Sequence, residues 1–159
     1  LLLLKAKNLP PDLFAPMLAN APEGLKISGD YYNALNACDA AIVCSGTATL
    51  ETGLMNKPMV VTYKTSWITW GLGRMLIRIE RVSLVNIVAG KKIVEELLQK
   101  NASPEKVAGE ALKLLTPSYA EKVRLNLARM RDLLGPPGAS ARAAGVVVDE
   151  LDKLTQTCP

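Results

Sequence analysis

The strongest constraint on this chain is an alternation that runs from its first residue to Asn86. Apolar strand-like runs, LLLLK, LKIS, AAIVC, PMVVTY and VSLVN, are interleaved with helix-like stretches, PPDLFAPMLANA, YYNALNAC, TATLETGLMN and SWITWGLGRMLIRI. Strands that alternate with helices read as an α/β fold with a mostly parallel sheet. AAIVC and PMVVTY are continuously apolar, the pattern of strands covered by helices on both faces. Beyond Asn86 the reading is helices only. KKIVEELLQ comes first, then a helix capped by Ser103 ahead of Pro104, then one capped by Thr116 ahead of Pro117. On the last of these, Tyr119, Val123, Leu127, Met130 and Leu134 recur at steps of three or four and form one apolar face. The breaker GPPG at 135–138 sets off a terminal helix, and no internal repeat or low-complexity tract is present.

Composition narrows the chemistry. With 159 residues, 49% hydrophobic and 21% charged, the chain has the material for one domain with a true core, which argues against disorder. It begins at Leu1, already inside an apolar run, so it reads as a piece of a longer protein. LLLL has no basic leader and is followed by Lys5 and Lys7, so it is not a secretory signal, and no apolar stretch is long enough to span a bilayer. A soluble chain on the cytoplasmic side is expected. The three cysteines, Cys38, Cys44 and Cys158, show no CxxC spacing, and histidine is absent. Neither a disulfide framework nor a zinc site is supported, and no Ser/His or Cys/His pair can come from these residues. Cys38 and Cys44 sit at the borders of a strand-like run and read as core thiols.

The stretch from Ser45 to Thr47 joins a strand directly to a helix. In open parallel sheets that is where ligands bind, and a glycine there lets backbone approach a ligand. The free N–H groups of a first helical turn, with the positive end of the helix dipole, favour an anion such as phosphate. The turn is neither a Walker loop nor a GxGxxG fingerprint. On residues alone it reads equally as a plain capped helix start, although a capping box would need Glu or Gln where Ala48 and Leu50 stand. Glu51 lies four residues after Thr47 on the same helical face, placed either to meet the hydroxyls of a bound ligand or to be a solvated surface carboxylate.

SGTATLETGLMNKPMVVTYK at 45–64, SLVNIVAG at 83–90 and EELLQ at 95–99 resemble, in order and spacing, the carboxyl-terminal half of the lipid-A-disaccharide synthase family, and weaker similarity covers nearly the whole chain. Two positions depart from that pattern: Val85 replaces a proline, and Thr49 replaces alanine or another small residue, departures expected to leave the polar groups of the loop untouched. The resemblance implies a two-domain GT-B glycosyltransferase whose Rossmann-like carboxyl-terminal domain binds a UDP-sugar. It implies a reaction joining UDP-2,3-diacylglucosamine to 2,3-diacylglucosamine 1-phosphate, giving a β-1,6-linked disaccharide and UDP. By the same resemblance Ser45, Gly46 and Thr47 match the diphosphate-binding turn, and Glu51 matches a glutamate near the ribose. Asn86 matches the asparagine of the SLPN motif, which as a residue alone reads as a turn asparagine ending a strand. Glu96 and Gln99 match the ELLQ motif, while Tyr63 and Lys64 also match but are commonplace at a strand end.

Residues 1–134 are then the nucleotide-binding domain, lacking a first strand that lies upstream of Leu1, and residues 135–159 are a linker and terminal helix that dock on a missing amino-terminal domain. No catalytic residue is expected in this chain: the general base belongs to the missing domain. Donors aimed at the diphosphate stabilise departing UDP, and without an Asp-x-Asp pair no metal and no cofactor is expected. The resemblance places the enzyme in the cytoplasm, peripheral on the cytoplasmic face of the inner membrane. SWITWGLGRMLIRI divides Trp67, Arg74, Arg78 and Arg81 from Ile68, Leu72, Met75 and Ile79, a division that reads first as a helix packed on the sheet and second as an interfacial helix touching anionic lipid. The net charge of +4 is spread along the chain without a dense cluster, so nucleic acid is not an expected partner. Two alternatives stand beside this reading. One is another UDP-sugar-using GT-B transferase; the other is a non-catalytic α/β interaction domain docking through Ala144, Val147, Val148, Leu151 and Leu154, which should ignore UDP.

Overall fold

A computed structural model describes residues 1–5, 10–66 and 81–157. The helix expected over SWITWGLGRMLIRI, with its membrane question, lies almost wholly outside those residues, as does Cys158. Five strands are described: β1 (Leu2–Leu4), β2 (Lys26–Ser28), β3 (Ala41–Cys44), β4 (Met59–Tyr63) and β5 (Glu95–Leu98). The helices are α1 (Pro11–Leu18), α2 (Tyr31–Ala37), α3 (Thr47–Leu54), α4 (Leu84–Val88), α5 (Pro104–Lys113), α6 (Pro117–Leu133) and α7 (Ala139–Thr157), with a 3-10 turn at Gln99–Asn101. Every strand pairing is parallel, so the expected Rossmann-like α/β class is the observed one. The strands form two separate sheets, β1–β2 and β3–β4–β5.

The core lies under the larger sheet. Met59, Val60 and Val61 of β4 are fully buried, as its apolar run requires, and they pack with Val85, Leu127 and Met130. The apolar face expected on α6 is real: Val123, Leu127 and Met130 are buried and Tyr119 half-buried, whereas Leu134 at the helix end is exposed. Gly53 is the reason α3 can lie close to α4 and α6. A Cβ there would stand 2.9 Å from Val85 Cγ2 and 3.1 Å from Met130 Cε. The far end of α3 closes in a left-handed turn, with Asn56 at φ 56°, Asn56 N donating to Gly53 O and Lys57 N to Thr52 O. Lys57 then donates its ammonium to Asn36 O and Cys38 O, satisfying carbonyls at the end of α2.

Two elements reverse their expected type. VSLVN is the short helix α4, not a strand, because Ser83 caps it by accepting from the Asn86 amide. The family's proline would stand at the second helical position, where proline is at home, so its replacement by Val85 removed the local helix signal. KKIVEELLQ contains strand β5, not a helix. Edge pairing with β4, in register from Val60↔Glu95 to Tyr63↔Leu98, overrides the helix preference of two glutamates and three leucine or glutamine neighbours.

Cysteine placement also differs from expectation. Cys38 is half-buried, and burial pushes its thiol up, opposed by Lys57 nearby. Cys44 is exposed, not packed in a core, because the face of β3 that carries it and Ile42 is uncovered. Thus the described residues do not cover β3 on both faces. From Arg131 to Lys153 every residue is exposed, so α7 projects from the domain beyond the turn at Gly135 and Gly138. Val147, Val148 and Leu151 of the expected stripe are among them, while the Leu154 side chain lies outside the described residues.

Candidate nucleotide site at the strand ends

Of the residues expected to form a site, Ser45, Gly46 and Thr47 stand just beyond the carboxyl end of β3 and Gln99 just beyond that of β5, whereas Glu51 lies on α3, Asn86 on α4 and Glu96 within β5. β3 runs into Ser45 and Gly46, and α3 begins at Thr47. Gly46 is the residue before the helix, at φ 146°, backbone that side-chain-bearing residues rarely adopt. Nothing lies within 4 Å of the space a Cβ would occupy there. With glycine in that position no side chain caps α3, and the amides of Thr47 and Ala48 find no partner among the described residues. An exposed, uncapped helix start therefore faces open space, with Thr47 itself exposed. Glu51 follows one turn later, half-buried and without a hydrogen bond or ion pair among the described residues.

Ser45 is more tied than a free ligand group. Its amide donates to Thr62 O (3.1 Å) and its hydroxyl to Val82 O (3.2 Å), which fixes the turn to β4 and to the segment entering α4. Thr49 departs from the expectation that it leaves the loop's polar groups alone. Its hydroxyl donates to Gly46 O at 2.8 Å and adds a restraint on the turn, in the back-bonding pattern of helical threonine.

Asn86 and Glu96, expected as ligand contacts, are tied into internal hydrogen bonds. Asn86 is completely buried; its Oδ1 accepts from Ile93 N (2.7 Å) and Val94 N (3.0 Å), and its Nδ2 donates to Val94 O (3.0 Å) and Glu96 Oε1 (2.7 Å). A side-chain amide has two donors and two acceptor sites, and all are used. Glu96 accepts from Val82 N, Ser83 N, Ser83 Oγ and Asn86 Nδ2. Partial burial pushes its carboxyl up, but these hydrogen bonds outweigh that and hold it below the ordinary glutamate value. Ser83 was not foreseen as part of this knot, although a serine three residues before Asn86 is a cap signal.

Gln99 ends the array. It adopts φ 53°, is buried, and accepts from Thr65 N through Oε1 at 3.2 Å, while its buried Nε2 has no partner among the described residues. A buried unpaired donor is costly, and a non-glycine residue in left-handed backbone adds strain. Both are concentrated where β4 and β5 end. Beside the knot, Arg81, Asn86, Lys92, Glu96 and Leu98 line an open depression of about 320 Å³.

The profile of a protein family described as lipid-A-disaccharide synthetase matches residues 17–142. This chain belongs to that family. A lipid-A-disaccharide synthase of Geobacter sulfurreducens is 42% identical over 150 residues, and one of Syntrophus aciditrophicus 43% identical over 155. The alignments cover 93% and 96% of this chain but 39% and 40% of those relatives. One of Anaeromyxobacter dehalogenans is 48% identical over 123 residues, 77% of this chain and 32% of its own length. This lipid-A-disaccharide synthetase family member thus spans about two fifths of the first two relatives. Among its described residues no helix is long and apolar enough to cross a membrane, and no three His, Cys, Asp or Glu side chains converge as metal ligands would.

Proposed function

We propose that this chain is the donor-binding portion of a glycosyltransferase that joins UDP-2,3-diacylglucosamine to 2,3-diacylglucosamine 1-phosphate, forming the lipid A disaccharide and releasing UDP. The observation that carries the reading is the uncapped start of α3 at Gly46, open to solvent, in a chain of this family. The amides of Thr47 and Ala48 and the dipole of α3 receive the diphosphate, and the absence of a side chain at Gly46 lets its oxygens come near. Glu51, one turn along, accepts from the ribose hydroxyls. The unpaired Nε2 of Gln99 is a further donor at the same sheet edge. Ser45, Asn86 and Glu96 position: they hold the turn, α4 and β5 so that these groups need no rearrangement.

In the transfer, an acceptor hydroxyl oxygen bonds to the donor's anomeric carbon as the bond from that carbon to the diphosphate oxygen breaks. The electron pair leaves with UDP, and the hydroxyl proton passes to a general base outside this chain. Negative charge grows on the diphosphate as it departs, and donors already aimed there lower the barrier. The cradle meets that charge with amides, so the reaction is proposed to proceed without a metal ion. The exposed stripe of Val147, Val148 and Leu151 on α7 docks on the amino-terminal domain, and acyl-chain substrates bring the whole enzyme to the cytoplasmic face of the inner membrane as a peripheral protein.

The test is a proton–nitrogen NMR titration with UDP, and ADP as control, on the chain and on the polypeptide that includes the residues encoded ahead of Leu1. Saturable shifts at Gly46, Thr47 and Ala48 that are much weaker with ADP are expected. A dispersed spectrum in both that ignores UDP would overturn the reading and favour an interaction domain.

A further inference from the structure

We propose that Thr49 is a positioning residue for the turn at Gly46: its buried hydroxyl latches the Gly46 carbonyl and so keeps the Thr47 amide turned outward, toward an anion at the start of α3. The proposal rests on the reading of that turn as a diphosphate cradle and names the side chain that sets its aim.

The turn needs a latch because Gly46 supplies little restraint of its own. It stands at φ 146° and ψ −164°, and nothing lies within 4 Å of the space a Cβ would fill. The chain is anchored just ahead of it, where Ser45 N donates to Thr62 O and Ser45 Oγ to Val82 O. Neither bond reaches the peptide plane that follows Gly46, which turns about the glycine ψ. That plane carries the Gly46 carbonyl on one side and the Thr47 N–H on the other, because the peptide is planar and trans. Fixing one aims the other.

Thr49 holds that carbonyl through two groups. Its amide donates to Gly46 O at 3.1 Å and its hydroxyl at 2.8 Å. The residue is wholly buried, so the hydroxyl has no bulk water as an alternative partner, and β-branching leaves the side chain few rotamers. With the carbonyl held along the helix, the Thr47 N–H points back out of the helix start into the open space before it. A carbonyl that accepts two bonds also polarises its own peptide unit, which strengthens the N–H on the far side as a donor.

Thr52 makes a similar bond with a different consequence. It too is wholly buried, and its hydroxyl donates to Ala48 O at 2.7 Å, with the Tyr31 hydroxyl 3.4 Å from both oxygens. The Ala48 carbonyl, however, shares its peptide plane with the Thr49 N–H, which is already engaged with Gly46 O. Thr52 therefore steadies α3 and its contact with α2 without aiming a free amide. The two threonines form a matched pair, alike in burial and in back-bonding, of which only Thr49 acts on the cradle.

The test is calorimetric titration with UDP, with thermal denaturation and amide NMR in the absence of ligand, on the full-length polypeptide and its Thr49→Val, Thr49→Ser and Thr52→Val variants. Thr49→Val keeps the side-chain shape and removes the hydroxyl, whereas Thr49→Ser keeps the hydroxyl. Thr49→Val is expected to weaken UDP binding about three- to tenfold, the worth of one hydrogen bond, and Thr49→Ser to stay within about twofold of the parent. Thr52→Val should lower Tm yet leave UDP affinity within about twofold. Without ligand, the Thr47 amide resonance should move or broaden in Thr49→Val and stay in place in Thr52→Val. Thr49→Ala also removes the hydroxyl and carries the same expectation, which covers a Thr49→Val protein that does not fold. Equal losses of affinity in Thr49→Val and Thr52→Val, or parental affinity in Thr49→Val, overturn the positioning role while leaving the cradle intact. A parent that ignores UDP overturns the cradle reading and the positioning role with it.

Discussion

Asn86 and Glu96 meet at 2.7 Å, Nδ2 to Oε1, and through that bond helix α4 and strand β5 are built as one unit. Ile93 and Val94 hang from the Asn86 carbonyl oxygen, and Val82 and Ser83 hang from the Glu96 carboxylate. Removal of either residue strands several buried polar groups at once.

Asn86→Ala leaves Ile93 N, Val94 N and Val94 O without their partner. An unsatisfied buried group costs about 1–3 kcal/mol, and local relaxation recovers part of it, so a loss of about 3–5 kcal/mol is expected. Urea denaturation without any ligand measures it. A variant that keeps wild-type stability and loses only UDP binding would restore Asn86 to direct ligand contact.

Glu96 should make stability acid-sensitive. Its carboxyl is depressed in the folded state, so the folded state binds a proton less readily than the unfolded chain. The resulting stabilisation is fully present above the ordinary value of 4.5 and is lost as pH falls through the lower folded value. Denaturation midpoints for the protein and for Glu96→Gln are expected to converge below that value and to separate above it. Parallel curves would show that the knot contributes no pH dependence.

Two glycines should fail in different ways. Gly53→Ala drives a methyl group against Val85 and Met130, and overpacking of this kind costs about 1–3 kcal/mol. Gly46→Ala meets no neighbour but forces alanine into backbone at φ 146°, and places a methyl group where the diphosphate is proposed to lie. Calorimetry should show a lower Tm for both, and titration with UDP a loss of affinity disproportionate to the stability change only for Gly46→Ala.

Asn56→Gly should stabilise. Asn56 holds φ 56° at the end of α3, and its Oδ1 is buried without a partner, so glycine relieves both costs. A gain of about 0.5–1 kcal/mol is expected by chemical denaturation. A loss would mean that the asparagine side chain contributes a contact worth more than the strain.

Local pattern determined a good deal of this protein. The continuous apolar run PMVVTY specified a buried parallel strand and AAIVC a parallel strand, though one whose Ile42 and Cys44 are exposed; Ser103 and Ser83 carry cap signals in their spacing, and the three-and-four periodicity of Tyr119, Val123, Leu127 and Met130 specified the buried face of α6. The glycine between strand and helix marked the turn at Gly46, because glycine's backbone freedom is a property of the residue itself. What local pattern missed depends on partners distant along the chain. Glu95–Leu98 is a strand because β4 pairs with it, and Leu84–Val88 is a helix because Glu96 and Ser83 hold its start. The division of labour within the site was also decided in three dimensions. Gly46 and Thr47 lie open and Glu51 is half-buried without a partner among the described residues, while Asn86 and Glu96 are engaged in internal hydrogen bonds, since a polar side chain's availability depends on which donors and acceptors folding brings to it. The sequence by itself thus determined which segments are apolar and where a glycine turn joins strand to helix. Only the tertiary structure decided that α3 starts without a side-chain cap, which polar groups are engaged in internal hydrogen bonds and which strand edges are unpaired among the described residues.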